Sequence, residues 1–388
     1  MLAYKIKEGV YWVGAIDWNM RSFHGYSTSK GSTYNAYLII DENITLIDSV
    51  KESFADEMIA RISSVIDPAK IEVIISNHGE PDHSGSIPKV VQYAPNAKVY
   101  SSSPNGVKIL KAIFGSLPLV PVKTGDSISI GKRTLKFIQA PMVHWPDNMV
   151  TYDAYDKILY SNDIFGQHYA TSKIFDYENN LAEVIQEAKK YYANIVLPYT
   201  NQANKIFNAA GALDFEFIAP SHGVVFKNHL KEIMALYEKM TNSYKEEKAV
   251  IVYDSMYGST EKMAQSIASA FVRKNITVKF YNINDNHESD ILTEISDCKY
   301  LAVGSPTINN CILSPIASFL SYLKGLSPKN LKFIAFGCYG WGGQSADIID
   351  QELEAMKFER LIAPIKHYYV PQTEDLQTIE GMVIQALN

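Results

Sequence analysis

The sequence predicts two α/β domains in series: a sandwich of mixed β-sheets with helices outside, followed by a doubly wound parallel sheet. Strand-like runs outnumber helices in the first part, whereas strands and helices alternate regularly in the second. Between the two parts, "TNSYKEEK" (241–248) is the clearest polar interruption. We therefore expect domains at 1–247 and 248–388.

The first domain is expected to join its strands by short turns. Its strand-like runs are "TYNAYLII", "ITLIDSV", "IEVIISN", "KVYSSS", "TLKFIQA", "ILYSND" and "FEFIAPS". The second domain has five apolar runs with helical stretches between them: "AVIVYDS", "TVKFYNI", "YLAVGSP", "LKFIAFG" and "IKHYYVP". This alternation is typical of a parallel sheet with helices on both faces.

Composition excludes several classes of protein. Of 388 residues, 47% are hydrophobic and 20% charged, which is ordinary for a globular protein with a sizeable core. The net charge of −6 gives no basic face for nucleic acid, and no apolar run approaches the roughly 18 residues of a membrane helix. Cys298, Cys311 and Cys338 form no CxxC pair, which favours a reducing compartment and argues against a thiolate-bound metal. We expect a cytoplasmic protein that binds neither nucleic acid nor membrane.

Histidines and acids follow four strand-like runs of the first domain. The segments are "IISNHGEPDH", "IQAPMVHWPD", "LYSNDIF" and "FIAPSHG". An isolated histidine is more often structural, but loops positioned on a rigid sheet are where a metal site is built. Together these loops supply seven candidate ligands: His78, Glu80, Asp82, His83, His144, Asp163 and His222.

The chemistry of these donors limits the metal. Four imidazoles and three carboxylates are enough for two ions if one carboxylate bridges them. Nitrogen and oxygen donors without thiolate suit zinc, iron or manganese. A histidine-only loop, HxHxDH, would favour zinc hydrolysis, whereas Glu80 is a harder, anionic donor that better supports ferric iron. On these residues alone, both a hydrolase and a redox enzyme stay open.

The loop "HGEPDH", followed by "HWPD", "SND" and "SHG", resembles the metallo-β-lactamase-like αββα domain of flavodiiron proteins, also called A-type flavoproteins. The similarity covers essentially the whole chain. It implies a non-haem di-iron centre. One iron would take His78, Glu80 and His144; the other would take Asp82, His83 and His222, with Asp163 between them.

Four further residues are expected around the irons. The resemblance places His24 beside the iron pocket, although a structural loop histidine is an equal alternative. His168 is expected to orient a metal ligand, as the outer partners of ligands commonly do. Tyr191 and Tyr192 are candidates for bordering the pocket, with core packing as the alternative; we select Tyr192 with His24 as the catalytic candidates.

The second domain carries loops that suit a flavin phosphate. "VYDSMYGSTEKMAQSIA" leads from a strand through a hydroxyl-rich loop into a helix, whose N-terminus would bind phosphate. It is neither GxGxxG nor GxxxxGK[ST], which disfavours a dinucleotide or a nucleoside triphosphate. The five strands and this loop resemble flavodoxin, whose FMN lies at the topological switch point. The expected FMN contacts are Ser255, Met256, Gly258, Ser259, Thr260, Ser305, Pro306, Thr307, Asn309, Gly337, Tyr339, Gly340, Trp341 and Gly342.

The resemblance implies reduction of O2 to water, of NO to N2O, or of both. Two ferrous ions and a reduced flavin together hold four electrons, which is the number that O2 requires. Because no paired CxxC motifs of a rubredoxin occur, we expect an external donor such as a rubredoxin or a reduced deazaflavin. The resemblance also implies a head-to-tail homodimer, or a dimer of such dimers. The alternatives are a binuclear metallo-hydrolase fused to a flavodoxin domain and a non-enzymatic electron carrier.

Overall fold

The computed structural model describes residues 1–388 and divides them into two compact units. The first comprises Met1–Tyr192 and Tyr199–Thr241, and the second comprises Ala193–Pro198 and Asn242–Asn388. The expected division at 247/248 falls within the first strand of the second unit, Glu246–Tyr253. The division into a di-iron domain and an FMN-binding domain at this point stays a prediction. No helix has both the length and the apolar character needed to cross a bilayer.

The first unit is built from many short strands. In chain order they are β1 (Tyr4–Lys7), β2 (Val10–Trp12), β3 (Ala15–Asp17), β4 (Ser22–Phe23), β5 (Tyr26–Ser27), β6 (Ser32–Tyr34), β7 (Tyr37–Ile39), β8 (Thr45–Ile47), β9 (Val73–Ser76), β10 (Lys98–Ser102), β11 (Leu119–Val122), β12 (Ser127–Ser129), β13 (Thr134–Gln139), β14 (Met149–Asp153), β15 (Ile158–Asn162) and β16 (Phe217–Pro220). Its α-helices are α1 (Ala55–Ser63), α2 (Pro81–Ser84), α3 (Ile87–Tyr93), α4 (Asn105–Phe114), α5 (Leu181–Tyr191), α6 (Thr200–Gly211) and α7 (Leu230–Thr241). Short 3₁₀ turns are found at Glu52–Phe54, Pro68–Lys70 and Asp176–Glu178. A π-helical turn, Tyr192–Val196, and a 3₁₀ turn, Leu197–Tyr199, include the segment Ala193–Pro198 that belongs to the second unit.

Two mixed sheets form the body of this unit. The first has the order β1-β2-β7-β8-β9-β10-β11, and the second has the order β12-β13-β14-β15-β16. In the first sheet the pairs from β8 to β11 are parallel, whereas in the second only β15 and β16 are. Two small ladders, β3–β6 and β4–β5, lie outside both sheets.

Alternation of side chains along the strands builds two apolar layers. Ile75 of β9 lies in a core with Phe137 of the second sheet, so the two sheets face each other. Its neighbour Ile74 points the opposite way, into a core with Met58 of α1 and Val90 of α3. The structure confirms the predicted sandwich of mixed sheets with helices outside.

The second unit is a parallel sheet with helices. Its strands are β17 (Glu246–Tyr253), β18 (Thr277–Asn282), β19 (Cys298–Gly304), β20 (Lys332–Tyr339), β21 (Glu359–Arg360) and β22 (Ile365–Tyr368). Its helices are α8 (Ser259–Arg273), α9 (Glu288–Ile295), α10 (Ser314–Leu326), α11 (Gln344–Ala355) and α12 (Thr373–Ala386). The strand order is β18-β17-β19-β20, after which both β21 and β22 pair with β20.

Successive residues of β17 reach both faces of this sheet. Val250 packs with residues of α9, α10 and α11, and Ile251 packs with residues of α8 and α12. The doubly wound sheet is thus confirmed, with the short β21 as an addition to the five predicted strands. Its order reverses between β17 and β19, where loops at the carboxyl ends of the strands bind ligands in open α/β sheets.

Candidate metal centre and flavin site

Strand ends deliver the seven candidate ligands of the first unit. His78 and Glu80 follow β9, and Asp82 and His83 lie in the short helix α2 that comes next. His144 lies in the loop between β13 and β14. The remaining two come directly after parallel neighbours: Asp163 after β15 and His222 after β16. The two facing sheets therefore both contribute to the cluster.

The structure gathers the seven residues into two groups of donors. Within each group the potential ligand atoms all lie within 4.8 Å of one another. One group is His78, Glu80, His144 and Asp163; the other is Asp82, His83 and His222. Six of the seven residues are buried, and the side chain of His144 is 11% exposed. This division matches the two ligand sets expected from the sequence.

Asp163 joins the two groups through its two carboxylate oxygens. Oδ2 lies 3.7 Å from His78 Nε2 and 3.5 Å from His144 Nε2. Oδ1 lies 3.1 Å from His83 Nε2 and 3.9 Å from His222 Nε2. One oxygen faces each group, which is the arrangement that a carboxylate bridging two metal ions requires.

The distances between the other donors of each group also suit ligands of one common metal ion. Glu80 Oε2 lies 3.1 Å from His78 Nε2 and 3.3 Å from His144 Nε2, and Asp82 Oδ2 lies 3.3 Å from His222 Nε2. Nitrogen and oxygen ligands lie about 2.0–2.2 Å from a zinc-sized ion, so two of them at ordinary angles are roughly 3.0–3.4 Å apart. The donors are therefore spaced as ligands of common ions.

Several of these buried atoms have no hydrogen-bond partner. They are both carboxylate oxygens of Asp82, both ring nitrogens of His83, and Asp163 Oδ1. A buried carboxylate without a hydrogen bond is costly, and such groups normally form hydrogen-bonded ion pairs or bind a metal. The residues present therefore fit a pair of metal ions, with nitrogen and oxygen ligands and no thiolate.

Neighbouring residues orient the ligands. His78 Nδ1 donates to Asp147 Oδ1 at 3.1 Å, and His222 Nδ1 donates to the Thr33 carbonyl at 2.7 Å. These bonds leave Nε2 of each ring free to face the cluster. Asn148 Nδ2 donates to Asp163 Oδ2 at 3.4 Å. Sequence reasoning did not select Asp147 or Asn148, although both follow His144 in "HWPDN".

Burial and charge set the protonation of the donors. Burial lowers the pKa of His83, but the carboxylates of Asp82 and Asp163 outweigh it and raise that pKa to about 9. Burial raises the pKa of Asp163, yet His83 and His78 together hold it well below its ordinary value. The carboxylates are thus anions facing imidazoles, a set of groups that binds a cation when the imidazoles lose their protons.

His24 and His168 both lie at this cluster. His24 Nε2 donates to Glu80 Oε1 at 2.8 Å, although the His24 side chain is 65% exposed. The His168 ring lies 4.5 Å from the His222 ring between centroids, and its Nδ1 is hydrogen-bonded to Ser32 Oγ at 2.7 Å. The proposed places of His24 and His168 beside the ligands agree with these contacts.

Tyr192 differs from its expected place. Its hydroxyl donates to Thr200 Oγ1 at 3.2 Å, and its ring packs edge-on against Tyr237. The neighbouring Tyr191 is the residue beside the donors, with its ring centroid 5.1 Å from that of His168 and 5.8 Å from that of His222. Consecutive helical residues point about 100° apart, so only one of the two can face the cluster.

The second unit has a cavity of about 270 Å³ lined by three of the predicted loops. Nine of the fourteen expected FMN contacts line it: Met256, Ser259, Pro306, Thr307, Asn309, Tyr339, Gly340, Trp341 and Gly342. Helix α8 begins at Ser259, immediately after Gly258 with its φ of +81°, and presents its N-terminal N–H groups to the loop. A Cβ at Gly340 would lie 3.3 Å from the Tyr369 ring and narrow the cavity. These features fit a phosphate and a planar ring.

The other five expected contacts do not line the cavity. They are Ser255, Gly258, Thr260, Ser305 and Gly337. Ser255 Oγ accepts from the Gly258 N–H at 3.0 Å, and Ser305 Oγ accepts from the Leu313 N–H at 3.0 Å. A Cβ at Gly337 would lie 2.2 Å from the Ser305 carbonyl oxygen, so this glycine serves close packing. These residues shape the loops that line the cavity.

Five residues that line the cavity were not predicted from the sequence. They are Tyr257, Asn310, Cys338, Tyr369 and Val370. Tyr369 and Val370 follow β22, which pairs with β20, and the Tyr369 N–H donates to the Tyr339 carbonyl at 2.7 Å. The pattern "IKHYYVP" predicts a strand, but only the pairing of β22 with β20 shows that the end of this strand reaches the cavity.

Comparison with known proteins agrees with both units. Residues 33–223 match the family described as "ODP family beta lactamase", and residues 251–380 match "Flavodoxin". The chain is 42% identical over 379 residues to the nitric oxide reductase of Moorella thermoacetica, covering 96% of this chain and 95% of that protein.

Two solved structures are similar over nearly the full length. The rubredoxin oxygen:oxidoreductase of Desulfovibrio gigas is 41% identical with a TM-score of 0.95, covering 98% of this chain and 96% of that one. The flavodiiron protein of Giardia intestinalis is 33% identical with a TM-score of 0.96, covering 100% and 96%. The chain combines a beta-lactamase-type domain with a flavodoxin domain, and it is similar to these relatives over nearly its full length. The protein therefore belongs to the flavodiiron protein family.

Proposed function

We propose that the protein is a flavodiiron oxidoreductase that reduces O2 to water, NO to N2O, or both. The observation that carries the proposal is the position of Asp163, which presents one oxygen to each of two donor groups. A second unit of the same chain has a cavity of about 270 Å³ at the switch point of a flavodoxin-type sheet. Bound FMN would relay electrons, and a bound iron pair would deliver them to the gaseous substrate.

The donor groups suggest how two irons would be held. One would take His78, Glu80 and His144; the other would take Asp82, His83 and His222, with Asp163 as the bridge. Glu80 contributes negative charge where a zinc hydrolase loop has histidine, which favours ferric iron. Its other oxygen accepts from His24, so an exposed imidazole can hold a proton at the edge of the site.

The flavin loops suggest complementary roles. The N-terminus of α8 would bind the FMN phosphate, with the Ser259 side chain beside it. Pro306, Thr307 and Asn309 would border one side of the ring system. Tyr339 and Trp341 would form the other wall. These residues would orient the ring and exclude water from it.

Exposed apolar side chains around the flavin cavity support a head-to-tail homodimer. Tyr257 is 93% exposed and Trp341 is 91% exposed, and Met256, Tyr369 and Val370 of the same cavity are also exposed. Contiguous exposed apolar groups of this kind mark interaction sites. We assign a second copy of the chain as the occupant, placing the FMN of one subunit beside the irons of the other, with a dimer of dimers as a further assembly. An external donor, such as a rubredoxin or a reduced deazaflavin, would supply electrons in the cytoplasm.

The test of the function is parallel consumption of O2 and NO by iron-replete protein supplied with reduced rubredoxin. We expect two irons and one FMN per chain, with turnover of at least one gas. Two zinc ions per chain with consumption of neither gas would contradict the proposal and favour a hydrolase.

A mixing experiment tests the dimer. One variant replaces His78 and Glu80 and lacks iron; another replaces Ser255, Ser259 and Thr260 and lacks FMN. If sites form between subunits, random reassembly of a closed two-fold dimer should restore about a quarter of wild-type activity. Confirmed mixed dimers without activity would refute the arrangement.

A further inference from the structure

A small hairpin covers the cluster of metal-binding donors. Strands β4 and β5 pair Ser22 with Ser27 and Phe23 with Tyr26, and no other strand joins their sheet. The two residues between them, His24 and Gly25, have φ values of 48° and 86°, the signs that a type I′ turn requires. A lone two-stranded hairpin is marginally stable in water, so contacts of its side chains must hold it in place.

The inner face of the hairpin is aromatic. The Phe23 ring centroid lies 4.9 Å from that of His168 and 6.4 Å from that of His222. Tyr26 packs 5.4 Å from His168, again between centroids. The hairpin therefore lays an apolar surface over the histidines at one end of the donor cluster.

The hairpin is attached at its tip and at its base. At the tip, the exposed His24 donates to Oε1 of the buried Glu80 at 2.8 Å. At the base, the buried Lys190 donates to Ser27 Oγ at 2.8 Å. A Cβ at Gly25 would have no atom of the same chain within 4 Å, so no other part of the chain packs on the outer side of the tip. Outward movement of the tip would require His24 to release Glu80 and the Phe23 ring to leave that of His168.

We propose that the β4–β5 hairpin is a lid over the metal pocket, and that Phe23 is the wall that determines the size of molecule able to reach the metals. This inference rests on the di-iron function proposed above. With the lid closed, diatomic gases pass beside the Phe23 ring, whereas ring-sized molecules wait for His24 to release Glu80. Lids of this kind sequester a reaction from water and from larger competitors.

Binding of two exogenous ligands to the diferric holoenzyme tests the wall. Azide is small and catechol is ring-sized, and each produces a charge-transfer band on binding ferric iron that stopped-flow absorption can follow. In Phe23→Ala the association rate of catechol should rise at least about 10-fold and that of azide less than about 2-fold. Phe23→Trp should slow catechol. Phe175→Ala, which also removes a half-buried ring in this unit, should change neither rate.

Hydrogen exchange tests the latch. In His24→Ala, protection of the amides of residues 23–27 should fall at least about 10-fold while that of β9 stays unchanged. If Phe23→Ala loses iron, Phe23→Leu replaces it, with a smaller rise for catechol. Equal effects on azide and catechol, or unchanged exchange in His24→Ala, would overturn the lid. Wild-type protein that binds azide at iron but consumes neither O2 nor NO would contradict the proposed function and leave the lid standing.

Discussion

The donor cluster and the flavin cavity are built in opposite ways. In the first unit, charged and polar side chains are buried and converge on two points, as with Asp163 and His78, which are both 0% exposed. In the second unit, the cavity is lined by backbone turns and by aromatic rings such as Trp341, which is 91% exposed. A metal ion needs a few donors at fixed distances, whereas a flavin needs a large shaped surface. Single substitutions should therefore disable the first site and only weaken the second.

The largest effect is expected for Asp163→Asn. An asparagine keeps one neutral amide oxygen and has an NH2 group in place of the other oxygen, so one ion loses its oxygen ligand and both lose the negative charge of the bridge. Metal content should fall at least about 10-fold for both sites together, while FMN stays bound. Elemental analysis measures the metal content, and flavin absorption measures the bound FMN. Asp176→Asn is the matched control, because Asp176 is equally buried but accepts backbone N–H groups outside the cluster. Normal metal content in Asp163→Asn would show that another group bridges.

Glu80→His should change which metal is bound. It removes an anionic donor and the acceptor of His24, and recreates the histidine-only loop. We expect zinc to displace iron in protein grown with both metals, and turnover of O2 and NO to fall with it. Retention of iron with full activity would remove the basis for treating Glu80 as diagnostic.

Asp147→Ala should weaken metal binding without removing a ligand. Asp147 accepts from His78 Nδ1 and from the Gly79 N–H, so its loss frees the His78 ring to rotate. Metal affinity should fall roughly 10–100-fold, the usual effect of losing such a partner. Competition with a chelator measures it, and Asp147→Asn, which keeps an acceptor oxygen, should lose less. Equal loss in both variants would contradict the orienting role.

Tyr369→Ala should have the smallest effect, on the flavin alone. Its ring lies beside Gly340 in the cavity wall, and an aromatic contact is worth about 0.5–1.5 kcal/mol, or roughly 2–12-fold in FMN affinity. Tyr368→Ala is the matched control, because Tyr368 is similarly exposed but does not line the cavity. Fluorescence titration of the apoprotein with FMN separates them, and equal losses would exclude a specific role for Tyr369.

Much of the fold was predictable because periodicity is local. The continuous apolar run "AVIVYDS" and the later runs, separated by helical stretches, predicted the parallel sheet, and the structure added its strand order and the short β21. The grouping of the seven candidate donors was also predictable, since each lies in a loop or short helix that follows a strand-like run. The choice of Tyr192 was not supported by its contacts, because the direction of a helical side chain depends on how that helix is packed.

By itself, the sequence determined which residues could bind metal and which loops could bind a flavin, because residue type and spacing along one strand and its loop are local properties. Only the tertiary structure decided how they combine. It placed one oxygen of Asp163 towards each donor group, His24 on Glu80, and Tyr369 at the flavin cavity. Each of these contacts joins segments that are distant in the chain. Contacts between distant segments depend on the order of the strands and on how the layers pack, and no local sequence pattern specifies either.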